Sequence, residues 1–102
     1  DAERREHLDE ILTAVYQYAV DHDGDFPPEL TEEEKEICVY EMPCDGVVLT
    51  SLKEKYLPTI TRDPLATHDS GGTQYFISLH NDRRVRVSAP GAEEDPPLRI
   101  TR

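Results

Sequence analysis

Positive charge is scarce in this sequence, and long apolar runs are missing from it. Its 102 residues hold 22 Asp and Glu against 11 Lys and Arg, a formal charge of -11. Such a surface repels phosphate, which excludes nucleic acid as a ligand of the bulk surface and favours solubility, divalent cations or basic partners. No stretch has the length and apolarity needed to span a bilayer, and none has the form of a signal peptide, so the chain reads as soluble. It begins at Asp1 without a methionine, as a processed or trimmed piece would. Catalytic patterns are also lacking: there is no Gly-x-Ser-x-Gly elbow and no phosphate-binding glycine loop, and His7, His22, His68 and His80 are scattered. His68, Asp69 and Ser70 are neighbours in one polar stretch, where nucleophile, base and orienting acid do not line up, so they read as turn residues. The expectation is a protein that is not an enzyme.

Only two cysteines occur, Cys38 and Cys44, with five residues between them. In a short chain such a pair reads as a disulfide if the protein works outside the cytosol, with reduced thiols as the alternative. A zinc site would need a second pair or a nearby histidine. The length suits one domain with a single modest core.

What is present begins with a helical period. Leu8, Ile11, Leu12, Val15, Ala19 and Val20 recur three and four residues apart, while Glu3, Arg4, Glu6, Asp9, Glu10 and Gln17 fall mostly on the other side. This predicts an amphipathic helix over residues 1–23, with Tyr16 and Tyr18 widening its apolar arc. Asp21, Asp23 and Asp25 follow at alternate positions, with Glu32 at the twelfth place counted from Asp21, an arrangement like an EF-hand calcium loop. The sixth place of such a loop needs glycine for its sharp turn and holds Phe26, followed by Pro27 and Pro28. Gly24 with prolines shortly after it is instead ordinary helix-stop chemistry.

Thr31 and Glu34 have the spacing of a capping box, which predicts a short helical turn over residues 32–37. Ser51 and Glu54 repeat the pattern ahead of Leu52 and Tyr56, and Pro58 ends that turn. Residues 61–74 read as a long polar turn region.

Two alternating runs follow. Tyr75, Ile77 and Leu79 share one face of a first strand, and Val85, Val87 and Ala89 one face of a second. A two-residue loop would set Leu79 opposite Arg84, whereas a three-residue loop over Asn81–Arg83 pairs Leu79 with Val85, Ile77 with Val87 and Tyr75 with Ala89. The apolar faces agree only in the second register. The helix is the one amphipathic element long enough to cover that hairpin. The predicted fold is therefore α+β, a long N-terminal amphipathic helix packed on a small antiparallel sheet. Its helix face is Leu8, Ile11, Leu12, Val15 and Ala19, and its sheet face is Tyr75, Ile77, Leu79, Val85 and Val87. The domain is expected to span residues 1–94, with residues 95–102 as a tail rich in proline and acid.

With these elements in order, the sequence resembles the soluble head of a type IV pilin or type II secretion pseudopilin, and most of all the pilin-like proteins of candidate-phyla bacteria. A tyrosine-bearing helix end runs into His22, Asp23, Gly24, Asp25, Phe26 and Pro27. Tyr56, Leu57, Pro58, Asp63 and Pro64 match a second motif of that family, and Gly72 with Tyr75 a third, ahead of a closing hairpin. Thr61 stands where the family often has proline, and the family's apolar helix half with its cleavage site does not occur within this chain. The resemblance implies a structural subunit of a type IV pilus or pseudopilus, an extracellular filament on the cell surface. It implies a precursor anchored in the inner membrane, and partner subunits held through the apolar helix half, with this chain alone a monomer. Charge at Asp1, Glu3, Arg4, Arg5 and Glu6 then serves subunit contacts or simple solubility. No cofactor is implied except calcium, which some relatives bind in the loop before the last strands; here Asp63, Asp69 and Ser70 would be its ligands. The alternative reading is a secreted, acidic, disulfide-closed module that binds a basic protein or Ca2+ without polymerising.

Overall fold

The computed structural model describes residues 2–42, 44–64, 71–80, 84–90 and 98–101. The predicted helix is α1, Ala2–Asp21. It stops where the backbone turns left-handed at Asp23 (φ 57°) and Gly24 (φ 91°). There the Gly24 N–H donates to the carbonyl of Ala19 at 2.7 Å, a Schellman-type closure that satisfies an orphan carbonyl of the last turn. Asp23 thus takes the left-handed position itself, with glycine following, and the alternating aspartates belong to a helix end. Asp21 has other partners, described below.

Five strands form one sheet in the order β2-β1-β3-β4-β5. They are β1 Lys35–Cys38, β2 Val47–Val48, β3 Gly72–Leu79, β4 Val85–Ala89 and β5 Leu98–Thr101. The β1–β3, β3–β4 and β4–β5 pairs are antiparallel, whereas β1 and β2 run parallel, so the sheet is mixed. The α+β architecture is as expected, with one helix packed on the sheet, and the parallel pair is the departure from an all-antiparallel sheet. The hairpin register agrees with the longer turn: Leu79 pairs with Val85 and Ile77 with Val87. His80 N–H donates to the Arg84 carbonyl at 2.8 Å, while residues 81–83 lie outside the described residues.

The core is the seam between α1 and the sheet. Leu8, Ile11, Leu12, Val15 and Ala19 are buried against Tyr75, Ile77, Val85 and Val87, with Leu79 partly buried at the margin. Val20, expected in that stripe, is 80 % exposed. One residue past Ala19 is a rotation of about 100° at 3.6 residues per turn, which carries it off the buried face. Ala14 is buried in its stead, and so is Arg4, one turn before Leu8.

Three further expectations are corrected. Residues 35–37, predicted as helical, belong to β1, because Ile37 faces the core and the edge of β3 needs a neighbour for its backbone groups. Thr31 Oγ1 donates to the Glu33 carbonyl rather than capping a helix, and the Thr31 carbonyl accepts from Leu79 N–H. The tail over residues 95–102 is corrected in part, since Leu98–Thr101 pairs with β4 as β5. Its apolar alternation is only Leu98 and Ile100, too short to distinguish from a loop until β4 offers an edge. The turn at residue 50 is a 3-10 turn, Thr50–Leu52, with no side-chain cap, and Ser51 Oγ donates to Glu29 Oε2 at 2.7 Å instead.

Cys38 and Cys44 form a disulfide, with their Cα atoms 5.7 Å apart. It closes the loop between β1 and β2. Parallel neighbours normally require a crossover of a dozen or more residues. Here residues 39–46 suffice because the bridge folds the connection back, and Gly46 allows the chains to approach closely. A Cβ at Gly46 would collide with the carbonyl of Glu36.

Candidate functional site

Each end of α1 is fastened to the head by an aspartate, in opposite surroundings. At the first turn Arg4 reaches the segment before β3. Its Nε donates to Asp63 Oδ2 at 2.7 Å and its Nη2 to Oδ1 at 3.1 Å, a bidentate pair with almost no solvent exposure. The Asp63 backbone is fixed as well, its N–H donating to the Thr73 carbonyl at 2.8 Å. Tyr75 lies beside the pair, and its hydroxyl is 2.7 Å from His7 Nδ1. Burial, reinforced by the negative charge of Asp63, pushes the Tyr75 phenol well above its ordinary range.

These contacts revise two expectations. Arg4 is an internal group of the head rather than part of a charged outer rim. Asp63, the first residue proposed for calcium, has both carboxylate oxygens on Arg4, so a cation there would have to displace a buried guanidinium. Asp69 and Ser70 lie outside the described residues. Among the described residues, no group of three His, Cys, Asp or Glu is placed to hold a metal ion.

At the last turn Asp21 Oδ2 accepts from the Tyr56 hydroxyl at 2.7 Å and pairs with Lys55 Nζ at 3.2 Å, in solvent. The hydrogen bond from Tyr56 is the main influence lowering the Asp21 carboxyl, followed by Lys55. The same bond is the main reason that the Tyr56 phenol is pushed up to about 12. Tyr18 stacks on His22 at 3.8 Å between ring centres, and Tyr56 stands edge-on to Tyr18. Farther along, Tyr40 donates to the Leu57 carbonyl at 2.6 Å, and burial first, then Glu29 and Glu41, pushes its phenol to about 12.

Between the two fastenings a groove runs along the outer flank of α1. Its main hollow, of about 530 Å3, lies between Glu6, Glu10, Thr13 and Ala14 of the helix and Tyr56 and Leu57 of the turn after β2. A second hollow of about 350 Å3 shares Gln17 and Tyr56 and continues to Val20 and Asp21. The histidines sit apart from one another's chemistry: His7 on Tyr75, His22 on Tyr18, and His80 with its Nε2 3.3 Å from Ser78 Oγ. His68 lies outside the described residues.

Arg4 was missed as a site residue although the signal was present. It stands four residues before Leu8, on the line that continues through Leu12 and Val15. The groove left no such trace, since its second wall comes from residues 56–57, far along the chain. The residues of the resembled motifs are not brought together: Tyr56 meets the last turn of α1 and Asp63 the first. No protein-family model, no curated protein and no solved structure matches this chain.

Proposed function

We propose that the chain is the head of a structural subunit of an extracellular filament of the type IV pilus or pseudopilus kind, without catalytic activity of its own. One observation carries the reading: the first turn of α1 is locked to the body of the head by the buried Arg4–Asp63 pair. A helix continued upstream of Ala2 would then be coupled to the sheet through the ion pair at Arg4 and the apolar seam that follows it. A subunit held in a polymer by such a helix needs that coupling, since load passes through packed elements instead of a loose linker. The Cys38–Cys44 bridge supports a role outside the cytosol, where disulfides persist. In this reading the subunit is held in the inner membrane by the upstream helix before assembly and contacts its neighbours through that helix afterwards.

The test is to read the sequence preceding Asp1 in the intact gene product and to image the producing cells by electron microscopy with antibody against this head. The expected result is an apolar helix with a prepilin cleavage site and labelled filaments. A conventional signal peptide, with the head released as a free monomer, would overturn the proposal.

A further inference from the structure

The groove on α1 has a shape and a charge that select a particular occupant. Glu6 and Glu10 are one turn apart on its helical wall, with Ala14 one turn farther on. Ala14 is buried, and its small side chain opens the floor of the main hollow beside Leu57. From Glu6 to Asp21 the two hollows follow the helix for about 22 Å at 1.5 Å per residue. At the far end stands Val20, the one large apolar side chain that is strongly exposed among the described residues. The main hollow is lined by acids and by no Lys or Arg among the described residues. Lys55 enters only the second hollow, where Asp21 offsets its charge at 3.2 Å.

A second helix laid along this groove would share the pitch of α1. Its apolar residues at three- and four-residue spacing would meet Ala14, Leu57 and Val20, and cationic residues one turn apart would meet Glu6 and Glu10. The chain's net charge of -11 draws such a partner in and turns acidic ones away. We propose that the groove on the outer flank of α1 is a docking site for a cationic amphipathic helix of a partner protein. The inference stands apart from the filament reading, because it concerns the exposed side of α1 and needs no upstream helix.

The probe is a fluorescein-labelled peptide of about 14 residues, long enough for the groove at 1.5 Å per residue, with leucines three and four apart flanked by lysines. A second peptide of the same composition has the leucine order scrambled. Anisotropy should show saturable binding of the first peptide. Amide NMR spectra should shift at Thr13, Ala14, Gln17 and Leu57. The Glu6→Gln, Glu10→Gln double variant should weaken binding about tenfold or more, as loss of close charge pairs does, and so should Thr13→Arg on the exposed rim. Glu32→Gln with Glu33→Gln removes the same charge elsewhere and should change affinity little. Four results would overturn the proposal: no saturable binding, equal binding of the scrambled peptide, equal loss in the remote double variant, or self-association that Thr13→Arg abolishes. The last would assign the groove to a second copy of this chain.

Discussion

The two ends of α1 are tied by the same kind of bond and differ in what surrounds it. At the first turn the Arg4–Asp63 pair is sealed from water, with side-chain exposures of 7 % and 0 %, and at the last turn Asp21 holds Tyr56 and Lys55 in solvent. Water screens the second set and competes for its hydrogen bonds, so those contacts adjust position more than stability. Within the core no such competition exists. A buried ion left without its partner is costly even though the intact pair contributes modestly, because the charge has already lost its hydration. The helix is therefore bolted at its start and only steadied at its end.

Breaking the bolt should have the largest effect. Arg4→Ala is expected to destabilise the head by about 3–5 kcal/mol in urea unfolding, by stranding the Asp63 carboxylate. Replacing both members, as Arg4→Met with Asp63→Leu, should recover most of that loss. A single variant as stable as the parent would show that the pair is not sealed.

The seam comes next. Leu12→Ala should cost about 2–5 kcal/mol, as a large-to-small change at a fully buried site, whereas Val20→Ala should stay within about 0.5 kcal/mol as a surface change. Equal losses at the two positions would mean that α1 is rotated from its described orientation. Reduction of the Cys38–Cys44 bridge should cost about 2 kcal/mol, the loop-closure value for so short a ring, and should loosen the β1–β2 edge in hydrogen exchange before it affects β3. Uniform loosening of the sheet would contradict the local role given to the bridge.

Smallest is the solvent-exposed end, where pH provides the lever. Tyr56 has its folded pKa raised, to about 12, so its contribution is fully present below the ordinary tyrosine value of 10.0 and fades as pH climbs toward 12. Asp21 has its folded pKa lowered, so its contribution is present above the ordinary carboxyl value of 3.8 and is lost as pH falls through the folded one. Absorbance titration should find one tyrosine ionising earlier in Asp21→Asn than in the parent, with little change in melting temperature. An unchanged titration curve would remove the Tyr56–Asp21 bond.

Several elements were legible in advance for plain reasons. The hairpin register followed from alternation, since a slip of one residue would turn Leu79 and Ile77 away from Val85 and Val87. The helix and its stop followed from a 3.6-residue period and the glycine and prolines that close it. The bridge could be expected from a close cysteine pair, provided the compartment was oxidising. Strands β1 and β5 were not legible, because four residues carry too little pattern and Thr31–Glu34 looked like a cap. Of the site, Tyr56 and Asp63 stood in stretches singled out only by a resemblance, and their partners Asp21 and Arg4 carried no local pattern that pointed to those contacts.

By itself, then, the sequence determined which segments bury a face and on what period: the apolar line of α1, the alternation of β3 and β4, and the acid-rich exterior. Those are local properties, set by backbone geometry and by the transfer of side chains out of water. Only the tertiary structure decided which strands filled the edges of the sheet, that Arg4 would meet Asp63 across 59 residues of chain, and that a groove would open between α1 and Tyr56. Such pairings depend on distances between remote segments, which no local pattern encodes, and they form because a sheet edge or a buried charge left alone would cost more than the order needed to satisfy it.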